Sequence, residues 1–118
     1  MAGYDRERAD DRLSVQMAAR IHCYGERFIG TVVNLGAGGA FVRAGRTLPM
    51  QVRCDLVVIV GDGGDPEHLL VTGTVVHLAD GGMGIKFDTL APGTLARLLG
   101  ILSSGGTNLK RRPVGSGG

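Results

Sequence analysis

The chain has 118 residues and a mass of 12.3 kDa, which is the size of one ordinary domain. Its 43% hydrophobic and 20% charged residues are typical of a globular protein and exclude an intrinsically disordered one. No apolar run approaches the ~18 residues that a membrane span needs, and the charged first residues lack the apolar stretch of a secretory signal. We therefore expect a cytoplasmic protein without a membrane span.

The net charge of +2 is unevenly distributed along the chain. Residues 13–109 hold seven basic and seven acidic side chains, whereas Lys110, Arg111 and Arg112 form a basic cluster. A nucleic-acid-binding fold needs a clustered basic face and stacking aromatics, and this chain has two tyrosines, three phenylalanines and no tryptophan. We therefore expect no nucleic-acid partner.

Alternating apolar residues and turn signals predict a series of short strands. Glycine makes up 21 residues, which disfavours a mainly helical fold. Residues 1–13 are polar and charged and are expected to form a flexible arginine-containing arm. A half-buried strand follows over 14–23, then a hairpin turn at Gly25-Glu26 and a second strand over 27–33.

A glycine-rich reversal over residues 34–39 separates the second strand from a third at 40–43. The run 69–78 is nearly continuously apolar, which predicts a strand buried on much of both faces. Further strands are predicted over 52–60 and, after a turn at 80–82, from 83 to 87.

The pattern becomes helical near the end of the chain. Leu95, Leu98, Leu99 and Leu102 follow the spacing i, i+3, i+4, i+7, with Pro92 tolerated in the first turn. We expect the fold to be all-β, a six-stranded antiparallel barrel with a C-terminal amphipathic α-helix over residues 14–103. Residues 104–118 are expected to be a disordered basic tail.

Catalytic and metal sites are not expected. No serine lies in a G-x-S-x-G motif, and no cysteine has a second ligand at zinc spacing. His22 is expected on a solvated face and His77 packed in an apolar strand, while Cys23 and Cys54 occupy apolar-face positions. We therefore predict a protein that is not an enzyme and has no cofactor.

Two motifs carry recognition chemistry. Arg8 and Arg12 form an R-x-x-x-R, and arginine can grip a phosphate or a guanine edge with two parallel hydrogen bonds. Four acidic residues in the same arm favour a merely solvated segment when this motif is taken alone. The second motif is N-L-G-A-G-G, from Asn34 to Gly39, whose amide suits a base edge and whose glycines let a ligand approach the backbone.

In this order the motifs resemble those of the PilZ domain, the bacterial receptor module for cyclic di-GMP. That family combines R-x-x-x-R with a later [D/N]-x-S-x-x-G on a six-stranded barrel followed by a helix. The segments G-G-A-F-V at 38–42 and G-M-G-I-K-F at 82–87 also resemble family strands. The resemblance covers roughly residues 6 to 102.

The resemblance implies that Arg8 and Arg12 clamp guanine and phosphate groups, that Asn34 binds a guanine, and that Gly39 shapes the turn. Gly36 stands where the family has serine. The missing hydroxyl removes one ligand hydrogen bond, worth about 0.5–1.5 kcal/mol, so weakened binding is expected. Glu7 stands where many members have another arginine, which leaves open whether one ligand molecule or a stacked pair is bound.

The leading hypothesis is therefore a non-enzymatic cyclic di-GMP receptor. Ligand binding would order the N-terminal arm and alter the surface shown to an unidentified protein partner. The resemblance suggests control of motility, pili or exopolysaccharide production. The alternative is a PilZ-fold adaptor that no longer binds nucleotide and acts through protein–protein contacts.

Overall fold

The computed structural model describes residues 13–61 and 64–104. The predicted arm, apart from Leu13, and the predicted tail, apart from Ser104, lie outside these residues. Six strands and one helix follow in chain order: β1 Leu13–Cys23, β2 Glu26–Leu35, β3 Gly39–Ala44, β4 Arg53–Val60, β5 Glu67–Ala79, β6 Gly82–Leu90 and α1 Pro92–Ser103. In the described part of the chain, no helix has the length and apolarity needed to cross a membrane.

The six strands form one closed barrel in the order β1-β2-β3-β6-β5-β4, with every neighbouring pair antiparallel. Strand β1 closes the barrel because it pairs with β2 on one side and with β4 on the other. The alternation in β1 places its apolar residues inside, from Val15 at 6% exposure to Ile21 at 0%. The predicted fold class, an antiparallel six-stranded barrel with a C-terminal helix, is confirmed.

Two hairpins are closed by residues in left-handed conformations. Tyr24 and Gly25 have φ of 51° and 80°, and Asp80 and Gly81 have φ of 51° and 74°. Positive φ at both central residues is the pattern of a two-residue turn that matches strand twist. The predicted turn at Gly25-Glu26 is therefore one residue too late, because Glu26 already begins β2.

Strand β5 is buried on one face only. Leu69, Val71 and Val75 point into the barrel, whereas Leu70 is 62% exposed and Val76 and Leu78 are exposed as well. The predicted burial on both faces is wrong, because a single-layer barrel covers only the inner face and α1 leaves this outer face open.

Helix α1 packs on the barrel through Leu98 and Ile101, each 1% exposed, with Leu102 partly buried beside them. Leu95 and Leu99 are exposed, so the apolar stripe expected from sequence is rotated towards Ile101. An exposed, charge-assisted hydrogen bond from Arg97 Nε to the Glu67 carboxylate, at 2.7 and 2.9 Å, joins the helix to the start of β5.

The barrel interior contains two free, buried cysteines, one on β1 and one on β4. Cys23 Sγ lies 3.4 Å from the Arg53 carbonyl oxygen, to which it donates. Burial, aided by neighbouring negative charge, raises the pKa of both thiols, that of Cys54 to about 11. Both side chains therefore act as small neutral core residues, as the sequence predicts.

The raised pKa of Cys54 predicts a loss of stability at alkaline pH. The folded-state pKa, about 11, lies above the usual value of 9.0, so an unfolded chain releases the proton first. Stability from the neutral thiol is complete below pH 9 and is lost between pH 9 and 11, by about 1.4 kcal/mol for each pKa unit. Urea unfolding across this range should show a shallower decline for Cys54→Ala than for the wild type. Parallel declines would contradict the assignment.

Candidate functional site

A short glycine-rich loop joins β2 to β3 and is held by backbone hydrogen bonds. The Gly36 N–H donates to the Gly39 carbonyl at 2.9 Å, which closes the loop on itself. The Phe87 N–H donates to the Gly38 carbonyl at 2.8 Å, which ties the loop to β6. The loop therefore has a fixed position on the barrel before any ligand is present.

Glycine at position 39 is required by the closeness of β3 to β6. A Cβ built on Gly39 would lie 2.5 Å from the Ile85 carbonyl oxygen and 3.4 Å from the Lys86 Cα. Gly39 pairs directly with Lys86 in the β3–β6 register. The resemblance gave Gly39 the role of shaping a turn, and the structure supplies a packing reason for its lack of a side chain.

An open groove of about 430 Å³ lies beside this loop; we call it the β6 groove. Its size falls within the range of small-molecule sites. Its walls and floor come from residues 36–39 of the loop, Phe41, Val76, His77, Gly84 and Lys86. The floor is flat because Gly84 has no side chain, and its missing Cβ would lie 3.1 Å from that of His77.

His77 is exposed at the edge of the β6 groove, opposite Gly84 in the β5–β6 pairing. The prediction that it is packed in an apolar strand is wrong, because the outer face of β5 is uncovered at this position. The Phe41 ring lies over Gly82, where a Cβ would come within 2.6 Å of its Cε2. Aromatic side chains therefore border the groove although the sequence holds few of them.

The β6 groove carries one positive charge and no carboxylate among its lining residues. Lys86 is exposed and projects from β6 between Gly39 and Thr74, its neighbours on the two adjoining strands. Asp88 is the next outward-facing charge on β6, but Thr74 Oγ1 donates to it at 2.6 Å and Arg53 Nε lies 3.6 Å away. The Asp88 carboxylate thus already has partners in Thr74 and Arg53, and the groove beside Lys86 favours an anion.

Asn34 lies inside β2 and not in the reversal where the sequence analysis placed it. It pairs with Ser14 on β1 and with Phe41 on β3, and in both pairings the register shifts between Val32 and Asn34. Bulges of this kind re-aim side chains at binding sites. Asn34 is half-buried and lies two residues before the loop, but it is not among the residues that line the groove.

The structure thus brings two predicted site residues together, Gly36 and Gly39, and places Asn34 at the end of the adjoining strand. Arg8 and Arg12 lie outside the described residues. Sequence reasoning missed Lys86 and His77 as site residues. Alternation around Ile85 and Phe87 could have indicated that Lys86 faces outward, but only the strand order brings it beside Gly39.

Within residues 13–61 and 64–104, no group of three or more histidine, cysteine or acidic side chains is placed to hold a metal ion. The groove residues also offer no nucleophile paired with a base. What the arrangement can do chemically is hold a flat anionic molecule against a glycine floor.

A PilZ domain model matches residues 6–104. The chain belongs to the PilZ family. Among curated proteins, no sequence matches it.

Solved structures with the same fold share little sequence with this PilZ chain. The Bacillus subtilis inhibitor of motility, MotI/DgrA, aligns with a TM-score of 0.70 and 18% identity over 85% of this chain and 51% of its own. The present chain thus spans about half of that protein. The PilZ domain of Escherichia coli YcgR with c-di-GMP gives 0.60 and 15% identity, over 79% and 86%. The PilZ domain of CeSA from a cellulose-synthesizing bacterium gives 0.60 and 15%, over 79% and 95%.

The packing at Gly39 predicts a large difference in stability between alanine variants at two neighbouring glycines. Gly39→Ala should lower the free energy of unfolding by about 1–3 kcal/mol, because a Cβ there collides with the β6 backbone. Gly38→Ala is the matched control, since nothing lies within 4 Å of its Cβ position and its φ is not positive. Urea denaturation measures both. Equal stabilities of the two variants would show that β3 can move away from β6.

Proposed function

We propose that this PilZ protein is a non-enzymatic receptor for cyclic di-GMP. The observation that carries the proposal is the extent of the family match, which runs over residues 6–104. That range includes Arg8 and Arg12 as well as Asn34, Gly36 and Gly39, the residues that the family motifs assign to the ligand. The Escherichia coli YcgR domain, which shares the fold, was solved with c-di-GMP.

The geometry of the described residues supports a ligand of this chemistry. A purine base is flat, and the Gly36–Gly39 loop, whose one side chain is the methyl group of Ala37, forms with Gly84 a floor that has few side chains. The ligand is anionic, and the groove has Lys86 and no carboxylate. Leu13, where the chain enters the barrel, pairs with Leu35 one residue before the loop.

This entry point keeps the R-x-x-x-R motif within reach of the loop. Arg8 is five residues before Leu13, a distance of about 18 Å at full extension. We propose that Arg8 and Arg12 grip guanine and phosphate groups while Asn34 binds a guanine edge. Gly39 shapes the turn beside the ligand. Gly36 stands in place of the family serine and lacks its hydroxyl, which weakens binding without abolishing it.

The output of binding would be a changed surface. Ordering of the segment before Leu13 across the barrel would alter what a protein partner meets at the β1–β2 side. Control of motility is one candidate output, since MotI/DgrA, of the same fold, is an inhibitor of motility. Pilus function and exopolysaccharide production are the others that the family resemblance suggests.

The second candidate function, an adaptor that binds protein without nucleotide, is favoured by two strongly exposed apolar side chains. Ile29 on β2 and Leu70 on β5 are 64% and 62% exposed. They lie in one cross-strand row with Arg20 and Val57 between them. Exposed apolar patches mark sites of protein interaction. Under this alternative, partner binding does not depend on a nucleotide.

Calorimetric titration with cyclic di-GMP distinguishes the two functions. The receptor should bind cyclic di-GMP in preference to GTP and cyclic di-AMP, and Arg8→Ala and Arg12→Ala should each abolish binding. Arg27→Ala, at the opposite end of β2 from the loop, is the control and should bind like the wild type. Gly36→Ser should bind several-fold more tightly, because the added hydroxyl restores one hydrogen bond to the ligand. The backbone tolerates serine at this position, since Gly36 is not in a left-handed conformation.

A folded sample that gives no heat at high-micromolar cyclic di-GMP would overturn the receptor function. The adaptor would then be the function of this chain. Binding that survives in both arginine variants would instead show that the nucleotide is held without the R-x-x-x-R motif.

A further inference from the structure

We propose that Lys86 binds a phosphate group of the ligand from the β6 side of the groove. This inference rests on the proposed function and adds a residue that neither recognition motif contains. Lys86 lies on β6, some fifty residues after the loop, and its place in the site follows from the β3–β6 pairing alone.

The first argument is position. Lys86 pairs with Gly39, and the side chain that could shield it on that strand is absent. Its other strand neighbour, Thr74, donates its hydroxyl to Asp88 at 2.6 Å and so does not compete for a ligand at Lys86. The lysine side chain therefore lines the groove directly next to the loop.

The second argument is charge. Among the described residues, no carboxylate lies within 4 Å of the Lys86 ammonium, whereas Arg46, Arg53 and Arg97 each have an acidic partner. Redirecting this exposed ammonium towards a ligand breaks no ion pair with the described residues, so the main cost is the side-chain entropy of ordering it. Lysine suits a phosphate because it acts as a compact point charge with three donors on a flexible stem.

The third argument is that different groups in the groove suit different parts of a nucleotide. Phe41 on β3 and His77 on β5 both pair with Gly84, so their rings flank the glycine floor and offer faces to a base. A nucleotide lying along the loop then has its base between these rings and the glycine floor, and its phosphate at Lys86.

The test is calorimetric titration of Lys86→Gln with cyclic di-GMP, with Arg27→Gln as the matched control. Both variants lose one exposed positive charge, but Arg27 is about 26 Å along β2 from Leu35 at 3.3 Å per residue. Lys86→Gln should bind about tenfold more weakly, Lys86→Arg within about twofold of the wild type, and Arg27→Gln like the wild type. The loss in Lys86→Gln should shrink between about 50 and about 500 mM salt, because screening weakens an exposed charge pair.

The 31P resonances of the bound ligand distinguish a phosphate contact from a base contact. Loss of a phosphate contact in Lys86→Gln should shift a 31P resonance relative to the Arg27→Gln complex. An unshifted 31P spectrum would overturn the assignment, and so would equal affinities of Lys86→Gln and the wild type. Absence of binding by the folded wild type would instead remove the proposed function itself, and this inference with it.

Discussion

The site depends on how closely β6 approaches its two neighbours. Glycine makes this approach possible at three positions along the seam between β6 and its neighbours β3 and β5. A Cβ at each position would meet another atom at 2.5 or 2.6 Å: Gly39 against the Ile85 carbonyl, Gly73 against the Ile85 side chain, and Gly82 against the Phe41 ring. Six strands form a narrow barrel, and closing one requires tight curvature at some strands. The closure of the barrel thus accounts for part of the high glycine content, which also disfavours helices.

The same seam creates the groove and sets its chemistry. Where side chains are missing on the outer face, the sheet is flat, and the few side chains that remain stand at the edges. One of them is a lysine, and the nearest acid on its strand, Asp88, is already bound by Thr74 and approached by Arg53. Of the three closely packed glycines, Gly39 also lines the groove, so the closeness of β3 to β6 shapes the wall beside Lys86.

Sequence pattern predicted the barrel well because period-two alternation reports directly which face of a strand is buried. Strand β1 follows this rule at every second residue from Val15 to Cys23. The apolar run in β5 predicts burial on both faces, but Leu70 and Val76 are exposed, because alternation does not report how many layers cover a strand. The pattern also misplaces the buried stripe of helix α1, in which Ile101 is buried and Leu99 is exposed.

The candidate site was predictable only as far as it is local in sequence. Gly36 and Gly39 belong to one short motif, and the loop that joins them is closed by its own hydrogen bond. Lys86 and His77 join the site through strand order, which a single sequence does not reveal. Asn34 was identified as a site residue but assigned to the wrong element, because a register shift has no signature in an apolar–polar pattern.

If Lys86 contacts the ligand as proposed, that contact would offset the hydrogen bond lost with the family serine. Gly36 forgoes a hydrogen bond of about 0.5–1.5 kcal/mol, whereas a hydrogen bond to a charged group contributes about 1.5–3 kcal/mol. In the proposed receptor the ligand must also order the segment before β1, at about 1–2 kcal/mol for each residue fixed. A half-site already held on the barrel by the Gly36–Gly39 and Gly38–Phe87 hydrogen bonds requires no such ordering. In the proposed receptor, contacts made at this half-site therefore raise affinity without that ordering cost.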